Sequence, residues 1–294
     1  MATTGAFNSG NVNIGATAAG VFRPNVWSKE VLMFVKSNLV LLPLVKHYDA
    51  DVQSSGQTLE IPNVSAISAN LKAQNTVVTL NYNTETKTTI TLNKHYESSF
   101  IVEDLVKVQS AYDLRSDYTS AAAYAISEKI DSDLATAMTT AWKTASQTTG
   151  VYGTAIADAN ILAVNRYLSE NKAPRTDRAL VVHPKGEAEL LNIDKYVRYD
   201  ALGVGGKDNS IVNGKIGRVY GVDVYMSQNL VYLDTATDEY NHLMFHKEAW
   251  AIAMQMQPRT QAQYKQEHLG WLVTVDVLYG HGALRTNFGY VVKS

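Results

Sequence analysis

The segment Tyr-Gly-His-Gly-Ala-Leu-Arg at positions 279–285 contains residue types that could carry out chemistry. Histidine is the side chain that most often moves protons in enzymes, and here His281 lies near Tyr279 and Arg285. A soluble hydrolase that uses these three residues is therefore one interpretation of the chain. The other interpretation is a bend between two ordinary strands, and the segment alone does not decide between them.

The sequence on either side of this segment favours the structural interpretation. A strand-like run ends just before it, with valines alternating on one face at Val273, Val275 and Val277. A second strand-like run follows at 283–292. Gly280 and Gly282 then mark a bend or bulge at a sheet, where a missing side chain lets another backbone approach. His281 and Arg285 become candidates for structural or intersubunit hydrogen bonds.

Two further histidines, His242 and His246, have the i,i+4 spacing that binds zinc on a helix. No glutamate follows the first of them, and the alternation of Leu243 and Phe245 predicts a strand instead. On a strand, residues i and i+4 share a face but stand ~13 Å apart, too far to share one metal ion. The sequence therefore predicts no metal site here, and it indicates no cofactor elsewhere.

Other candidate motifs also favour a structural interpretation over a catalytic or binding role. The glycine-rich residues 203–210 lack the spacing of a phosphate-binding loop and predict a mobile surface loop. Asp131 and Asp133 fall within a predicted helix, where we interpret them as part of its solvated face. The absence of cysteine excludes disulfides, thiolate metal sites and cysteine nucleophiles.

The composition limits the kinds of partner. With 26 basic and 28 acidic residues and no basic segment, the chain is a poor candidate for sequence-specific nucleic-acid binding. No apolar run approaches the ~20 residues that a membrane span needs. Charged residues make up only 18% of the chain, so much of the surface is polar but uncharged. Such a surface costs less to desolvate and can be buried against a neighbouring subunit.

The first half of the chain predicts an arm, a helix and a long hairpin. Residues 1–22 carry no charge and predict a flexible arm, and a helix starts near Arg23 and ends at Pro43. Residues 51–97 then alternate with period two on both sides of a polar turn at 83–87. The alternating apolar residues are Leu59, Ile61, Val78, Leu80, Tyr82, Ile90 and Leu92. Because a two-stranded ribbon is marginal in water, it should lie on its own domain or on a neighbouring subunit.

The second half predicts a long helix followed by mixed elements. Apolar and small residues recur at helical steps over 102–145, which predicts about 40 residues of helix, ~60 Å long. A helix capped by Asp158 and stopped at Pro174, a buried strand at 178–184, a short helix and several closing strands follow. Helices and strands alternate without a regular βαβ rhythm, so the fold class is α+β.

The order of these elements resembles the major capsid protein of tailed bacteriophages, which has the HK97-like fold. Three phrases resemble recurring patterns of that family: residues 180–192 (LVVHPKGEAELLN), residues 214–230 (GKIGRVYGVDVYMSQNL), and FHKEAWAIAMQ followed by VLYGHGALR. The resemblance implies an arm and short helix at 1–49, an E-loop at 50–97 and an axial A-domain at 151–249. It also implies a peripheral P-domain, with a long spine helix, made of 98–150 and 250–294.

The resemblance implies a structural role and no enzymatic activity. Many copies would form pentamers and hexamers that close into an icosahedral shell around double-stranded DNA, held on the inner face without sequence specificity. The implied location is the virion, and the host cytoplasm during assembly. Candidate intersubunit contacts are Phe22, Trp27, Lys72, Asn75, Lys207, Asp208, His281 and Arg285. Covalent cross-linking occurs in one branch of the family, but nothing identifies a partner for Lys72, so we do not carry it over.

Other partners follow from the same resemblance. No charged helical segment precedes the arm, so we expect a separate scaffolding protein, together with a portal protein and possible cement or decoration proteins, and no membrane. Two alternatives stay open at this point. One is an encapsulin-like protein compartment with an enzyme cargo, and the other is the soluble hydrolase that uses His281.

Overall fold

The longest strands of the protein form a four-stranded sheet. In a computed structural model, residues 39–52, 56–64, 66–82, 85–104, 114–193, 217–234 and 239–294 are described. The sheet consists of β1 (Lys46–His47), β4 (Lys94–Glu103), β11 (Trp250–Lys265) and β12 (Gly270–Ala283), in the order β1-β11-β12-β4. β12 is antiparallel to both β11 and β4, and β11 carries two register shifts between Met254 and Arg259.

A helix of 31 residues, α3 (Leu114–Thr144), covers one face of this sheet. Its buried side chains recur at every fourth position: Ile126, Ile130, Leu134, Met138 and Trp142. The helix is rich in threonine, yet the hydroxyls of Thr136, Thr139, Thr140 and Thr144 each donate to the carbonyl four residues earlier. Polar side chains are thereby satisfied within the helix, and its apolar row packs on the alternate valines of β12.

A second, seven-stranded sheet lies among the described residues. Its central strands are β6 (Arg178–Val182), buried at every residue, and β10 (Glu239–His246), which pair antiparallel. The other strands are β5 (Thr148–Thr149), β7 (Arg218–Val219), β8 (Val222–Met226), β9 (Tyr232–Asp234) and β13 (Gly289–Lys293). Helices α4 (Asp158–Glu170) and α5 (Pro184–Leu191) pack on it. One buried apolar cluster links α3 with both sheets.

The remaining pieces lie next to the four-stranded sheet. Two one-turn helices, α1 (Leu41–Leu44) and α2 (Asp49–Val52), flank β1. A two-stranded antiparallel hairpin consists of β2 (Thr58–Asn63) and β3 (Thr86–Thr91), with six paired positions. Among the described residues between these strands, we call residues 64–82 without 65 the hairpin loop, and this loop contains no helix or strand beyond a turn at 74–75.

The structure confirms the α+β class and corrects several boundaries. Pro43 does not end a helix, because it lies inside α1, where its missing N–H is one of those that a first turn leaves free. The long helix does not begin at 102, since β4 extends to Glu103. Asp158 is the first residue of α4 rather than its cap, and its carboxylate accepts a hydrogen bond from the Tyr220 hydroxyl at 2.7 Å.

A hairpin was correctly predicted, but the predicted partner of its second strand was wrong. Strand β3 pairs with 58–63 and not with 78–82, so the alternation of Val78, Leu80 and Tyr82 belongs to the loop. The predicted arm, the helix start near Arg23 and the glycine-rich loop at 203–210 lie outside the described residues.

Candidate functional site

The hairpin loop carries seven large apolar side chains that are exposed to solvent. Two of them, Val77 and Tyr82, are 91% and 92% exposed, and the others are Val64, Ile67, Leu71, Val78 and Leu80. A soluble monomer rarely keeps so many apolar side chains together on its surface. Covering each one would gain about 1.5–3 kcal/mol. The loop therefore has the character of a surface that another molecule covers.

Side-chain amides hold the two arms of the loop together in place of a strand ladder. Asn70 donates to the Asn81 side-chain oxygen at 2.8 Å, and Asn81 in turn donates to the backbone carbonyl of Ser68. At the tip, Thr76 closes a turn on the carbonyl of Ala73, and Asn75 adopts a left-handed conformation with φ of 64°. Asparagine tolerates this conformation better than most residues. Among the described residues, side-chain hydrogen bonds thus join the two arms in place of a ladder between their backbones.

The predicted contact residues Lys72 and Asn75 lie at this exposed tip. Lys72 carries the one charge among the described residues of the loop. Phe22, Trp27, Lys207 and Asp208 lie outside the described residues. The assignment of all six residues to subunit contacts stays a prediction.

The root of the hairpin packs closely on β12 at two glycines. A Cβ atom on Gly280 would overlap the backbone carbonyl of Thr91, and one on Gly282 would lie 3.2 Å from the Cγ1 of Ile90. The predicted close approach of another backbone is confirmed at Gly280, whereas Gly282 meets the side chain of Ile90. The predicted bulge is not at this position, because the register shifts occur on β11, nearer its middle. Beside this contact, Val52, Leu92 and Ala253 form a small buried cluster.

A buried carboxylate, Asp133, joins α3 to the sheet just beyond the hairpin root. Its side chain is 11% exposed. Lys129 donates to one oxygen at 2.9 Å, and the other oxygen accepts from the Lys94 amine at 3.0 Å and from the hydroxyls of Tyr96 and Tyr279, each at 2.9 Å. Burial would raise the pKa of Asp133, but these four donors outweigh it and hold the pKa well below its usual range.

The neighbouring carboxylate, Asp131, is also buried, at 1% exposure. It accepts hydrogen bonds from the backbone N–H of Leu41 at 2.8 Å and from the Asn229 side chain at 3.2 Å. Burial raises its pKa, and these hydrogen bonds oppose the rise. The solvated-face interpretation of Asp131 and Asp133 was therefore wrong. The one sequence signal for this cluster was the i,i+4 spacing of Lys129 and Asp133, which also occurs on exposed helices.

His281 lies inside the protein rather than in an open site. Both of its ring nitrogens are buried, and neither has a hydrogen-bond partner in the described part of the chain. Burial, together with the nearby charge of Lys94, lowers the pKa of His281 to about 4, so the ring is neutral at pH 7. Its neighbour Tyr279 donates to Asp133, and Trp250 lies beside it at 5.9 Å between ring centroids. This environment holds the histidine without aligning a nucleophile against it.

Arg285 is separate from His281 and lines a polar cleft of about 210 Å³. The cleft lies between the hairpin and the sheet, and its other charged residues are Lys46 and Glu248, 4.0 Å apart. The Arg285 guanidinium stands 5.2 Å from the ring centroid of Phe288. The three residues of the hydrolase interpretation therefore do not converge on one point.

The two histidines of β10 are structural. His242 accepts from the backbone N–H of His183 at 3.1 Å, so its other nitrogen carries the proton and donates to Ser294 at 2.9 Å. Burial lowers the pKa of His242 to about 3. His246 accepts from the Glu248 N–H at 3.1 Å. Both lie on a strand, as predicted, and no group of three potential metal ligands occurs among the described residues.

The described helices include none that is both long and apolar enough to cross a membrane. Comparison of the sequence with curated proteins finds no match. The sequence profile of the phage capsid protein family matches residues 45–293, which is most of the chain.

Solved structures share the fold at low sequence identity. The chain is similar to a structure from Mycobacterium phage Che8, with 23% identity, a TM-score of 0.77, and coverage of 92% of this chain and 97% of that one. It is also similar to the capsid of cyanophage P-SCSP1u, at 18% identity and a TM-score of 0.76, covering 99% and 98%. The mature capsid of bacteriophage PhiM1 is similar at 14% identity, with a TM-score of 0.71 and 92% coverage of both chains.

The fold and its uncovered apolar loop define a structural subunit that associates with other chains. The chain belongs to the phage capsid protein family. It has the HK97-like fold, and it is a major capsid protein that forms the head shell of the virion. The family, fold and function expected from the sequence are confirmed.

Proposed function

We propose that copies of this chain form pentamers and hexamers that close into an icosahedral shell around double-stranded DNA, and that the hairpin loop makes the main contact between neighbours. The exposure of seven large apolar side chains on that loop is the observation that carries the proposal. The loop has no core of its own, so its ordered shape and apolar surface are most useful when a neighbour covers them.

The proposal assigns parts of the fold to parts of the shell. Residues 50–97 are the E-loop, α3 is the spine helix of a peripheral domain made of 98–150 and 250–294, and 151–249 form the axial domain. The Asp133 cluster supports the first assignment, because it fixes Lys94 and Tyr96 at the start of β4 on α3. A fixed root gives the projecting hairpin a defined direction.

The partners in assembly are also proposals. A separate scaffolding protein, a portal protein and a cement or decoration protein fit a shell subunit of this family. Assembly takes place in the host cytoplasm. The near-neutral net charge, with 26 basic and 28 acidic residues, is compatible with a shell that encloses DNA without binding it tightly.

We infer that the chain acts without catalysis. The hydrolase interpretation needs an accessible His281, whereas both ring nitrogens are buried. The encapsulin-like alternative has the same fold, but its shell encloses an enzyme cargo instead of DNA. The contents of purified particles therefore distinguish it from a phage shell.

The test is the state of the purified protein. The chain is expressed alone and with a scaffolding partner from the same phage, and each product is analysed by sedimentation velocity and negative-stain electron microscopy. The proposal expects closed shells of uniform diameter in at least one preparation, and virion-derived shells that contain DNA and a portal. A stable monomer in both preparations contradicts it. Shells filled with an enzyme cargo would support the encapsulin-like alternative.

A further inference from the structure

Strand β4 leaves one long edge of the four-stranded sheet without a partner. It pairs with β12 on one side, and the backbone groups on its other side make no hydrogen bond to any other strand in the described ranges. The Asp104 N–H donates to the Leu269 carbonyl, so Asp104 points its backbone groups toward β12. Backbone groups alternate in direction along an antiparallel strand. The N–H and C=O groups of Ser99 and Ile101, which lie an odd number of residues from Asp104, therefore point away from β12.

The middle of this edge lacks the usual protection against strand pairing. Edge strands are commonly protected by charged residues or proline. In β4 the charged residues lie toward the two ends, at Lys94, Glu97 and Glu103, whereas residues 98–102 read Ser-Ser-Phe-Ile-Val. These five residues are uncharged, and the outward N–H and C=O groups of Ser99 and Ile101 make the stretch a template for another strand. We call residues 98–102 the open edge.

An apolar cleft lies directly beside the open edge. Its volume is about 350 Å³, and Phe100, Ile101 and Leu272 supply its apolar walls. Its rim is polar, with Lys265, Glu267 and His268. Strand addition obtains affinity from main-chain hydrogen bonds and specificity from pockets that accept alternate side chains. The open edge and the cleft together provide both features.

The hairpin loop contains a segment that matches this surface. Residues 76–82 (Thr-Val-Val-Thr-Leu-Asn-Tyr) carry no charge and are rich in the β-branched and aromatic residues that favour strands. They are exposed and have no regular secondary structure, and among the described residues they make no strand ladder with another segment. Val78, Leu80 and Tyr82 alternate, so in a strand they would share one face.

The root of the hairpin and the cleft lie toward opposite ends of β12 in one copy. The hairpin root contacts Gly280 and Gly282 at one end of β12, whereas the cleft reaches Leu272 near the other end. Eight residues of strand separate Gly280 from Leu272, or roughly 26 Å. A head-to-tail contact between identical subunits joins two different surfaces of the same chain, and such contacts form a ring when the rotation between copies closes.

We propose that residues 76–82 of one copy add as a strand to the open edge of the next copy, with alternate apolar side chains placed in the cleft. The proposal rests on the function proposed above, because it requires a second copy in an assembled shell. It goes further by naming the acceptor strand and the backbone groups that make the contact.

Hydrogen exchange followed by mass spectrometry tests the pairing on the unmodified protein. Unassembled subunits and shells are compared, and peptides that cover 76–82 and 98–102 are expected to exchange about tenfold or more slowly in the shell. Equal exchange of either segment in shells and subunits overturns the proposal, because a strand pair protects both sides. Failure to form any shell counts against the proposed function instead, so the two failures are distinguishable.

A proline variant removes one outward N–H group without touching the β12 ladder. Proline is tolerated on an edge strand where its missing N–H faces outward. We therefore expect Ser99→Pro to fold with a melting temperature close to that of Ser99→Ala, its matched control. Ser99→Pro should lose the protection of residues 76–82, whereas Ser99→Ala should keep it. A Ser99→Pro shell with the wild-type protection of 76–82 contradicts the proposal.

Cysteine pairing gives a test that does not depend on the proline variant folding. The chain has no cysteine, so any disulfide reports introduced residues alone. Copies with Ser99→Cys are assembled with copies that carry a single cysteine at each position of 76–82 in turn. Covalent dimers are expected at alternate positions, since every second residue faces the same way. No dimer at any position overturns the proposal.

Discussion

At the scale of single residues, Asp133 is the side chain with the most partners at the junction of helix and sheet. It holds two amines and two phenol hydroxyls around one carboxylate, next to the point where the hairpin leaves the sheet. Removing the charge leaves Lys94 and Lys129 without their anion. The cluster therefore contributes to the stability of the subunit and to the direction of its hairpin.

The Asp133→Asn variant tests this role. We expect the free energy of unfolding at pH 7 to fall by about 2 kcal/mol, since a largely buried carboxylate loses its charge beside two partly exposed lysines. Chemical denaturation of the unassembled subunit measures the change. Glu170→Gln is the matched control, because it also removes a carboxylate from an i,i+4 helix pair, but an exposed one. An equal, small effect of both variants would contradict the role of the Asp133 cluster.

His281 predicts a pH dependence of stability. Its folded pKa is about 4, whereas an unfolded histidine titrates near 6.5. Between these values the unfolded chain binds a proton that the folded chain does not, so stability falls as the pH decreases from about 6.5 to 4. The His281 contribution to this loss is at most about 3 kcal/mol.

Denaturation at a series of pH values measures that contribution. Over this pH range, the His281→Gln variant should lose stability less steeply than the wild type. His268→Gln, which replaces an exposed histidine and leaves the buried His281 in place, is the control. If the free energy of unfolding of His281→Gln and of the wild type fell equally steeply between about pH 6.5 and 4, the lowered pKa of His281 would be contradicted.

At the scale of elements, the contact between β3 and β12 depends on missing side chains. Gly280→Ala would place a methyl group against the backbone of Thr91, which cannot move without shifting the strand. We expect a loss of about 2 kcal/mol, as for other overpacked sites. Gly282→Ala meets the Ile90 side chain instead and should cost less. Thermal unfolding of the two variants measures the difference, and an equal cost would contradict a backbone contact at Gly280.

These elements show which features a single sequence can predict. The three- and four-residue steps of Ala123, Ile126 and Ile130 predicted a long helix, and the alternation of three valines predicted β12, because each pattern depends on one element alone. The partner of β3 could not be predicted in the same way. Val78, Leu80 and Tyr82 alternate as a strand does, yet no strand of the same copy pairs with them in the described residues.

The site was harder to predict than the fold. Asp131 and Asp133 look like exposed helix residues, because all their hydrogen-bond partners named above except Lys129 lie 37 to 146 positions away in the sequence. Contacts of this kind depend on how distant elements pack. The glycines at 280 and 282 were informative, since a strand interior disfavours glycine unless something approaches closely.

Deletion of residues 65–75 tests the role of the hairpin loop. These residues contribute little to the core, so the free energy of unfolding of the unassembled subunit should change little. Shell yield, measured by sedimentation, should fall because the loop can no longer reach its neighbour in the same way. An unchanged shell yield would argue against the assignment of residues 50–97 as the E-loop.

At the scale of the whole molecule, the described residues include an exposed apolar loop at one place and an open strand edge at another. Within the described part of one copy, nothing covers the apolar side chains of the loop and no strand pairs with the open edge. A shell of identical subunits resolves both exposures at once, since each copy offers its loop to one neighbour and its edge to another. The chain has no cysteine, so disulfides do not hold its copies together.

A cryo-electron microscopy reconstruction of the assembled shell tests the central claim most directly. The account predicts icosahedral particles in which residues 56–91 of each subunit extend across a neighbouring copy, with the apolar side chains of the loop covered by that neighbour. Shells in which this hairpin folds back on its own subunit, or leaves those side chains in solvent, would contradict the account.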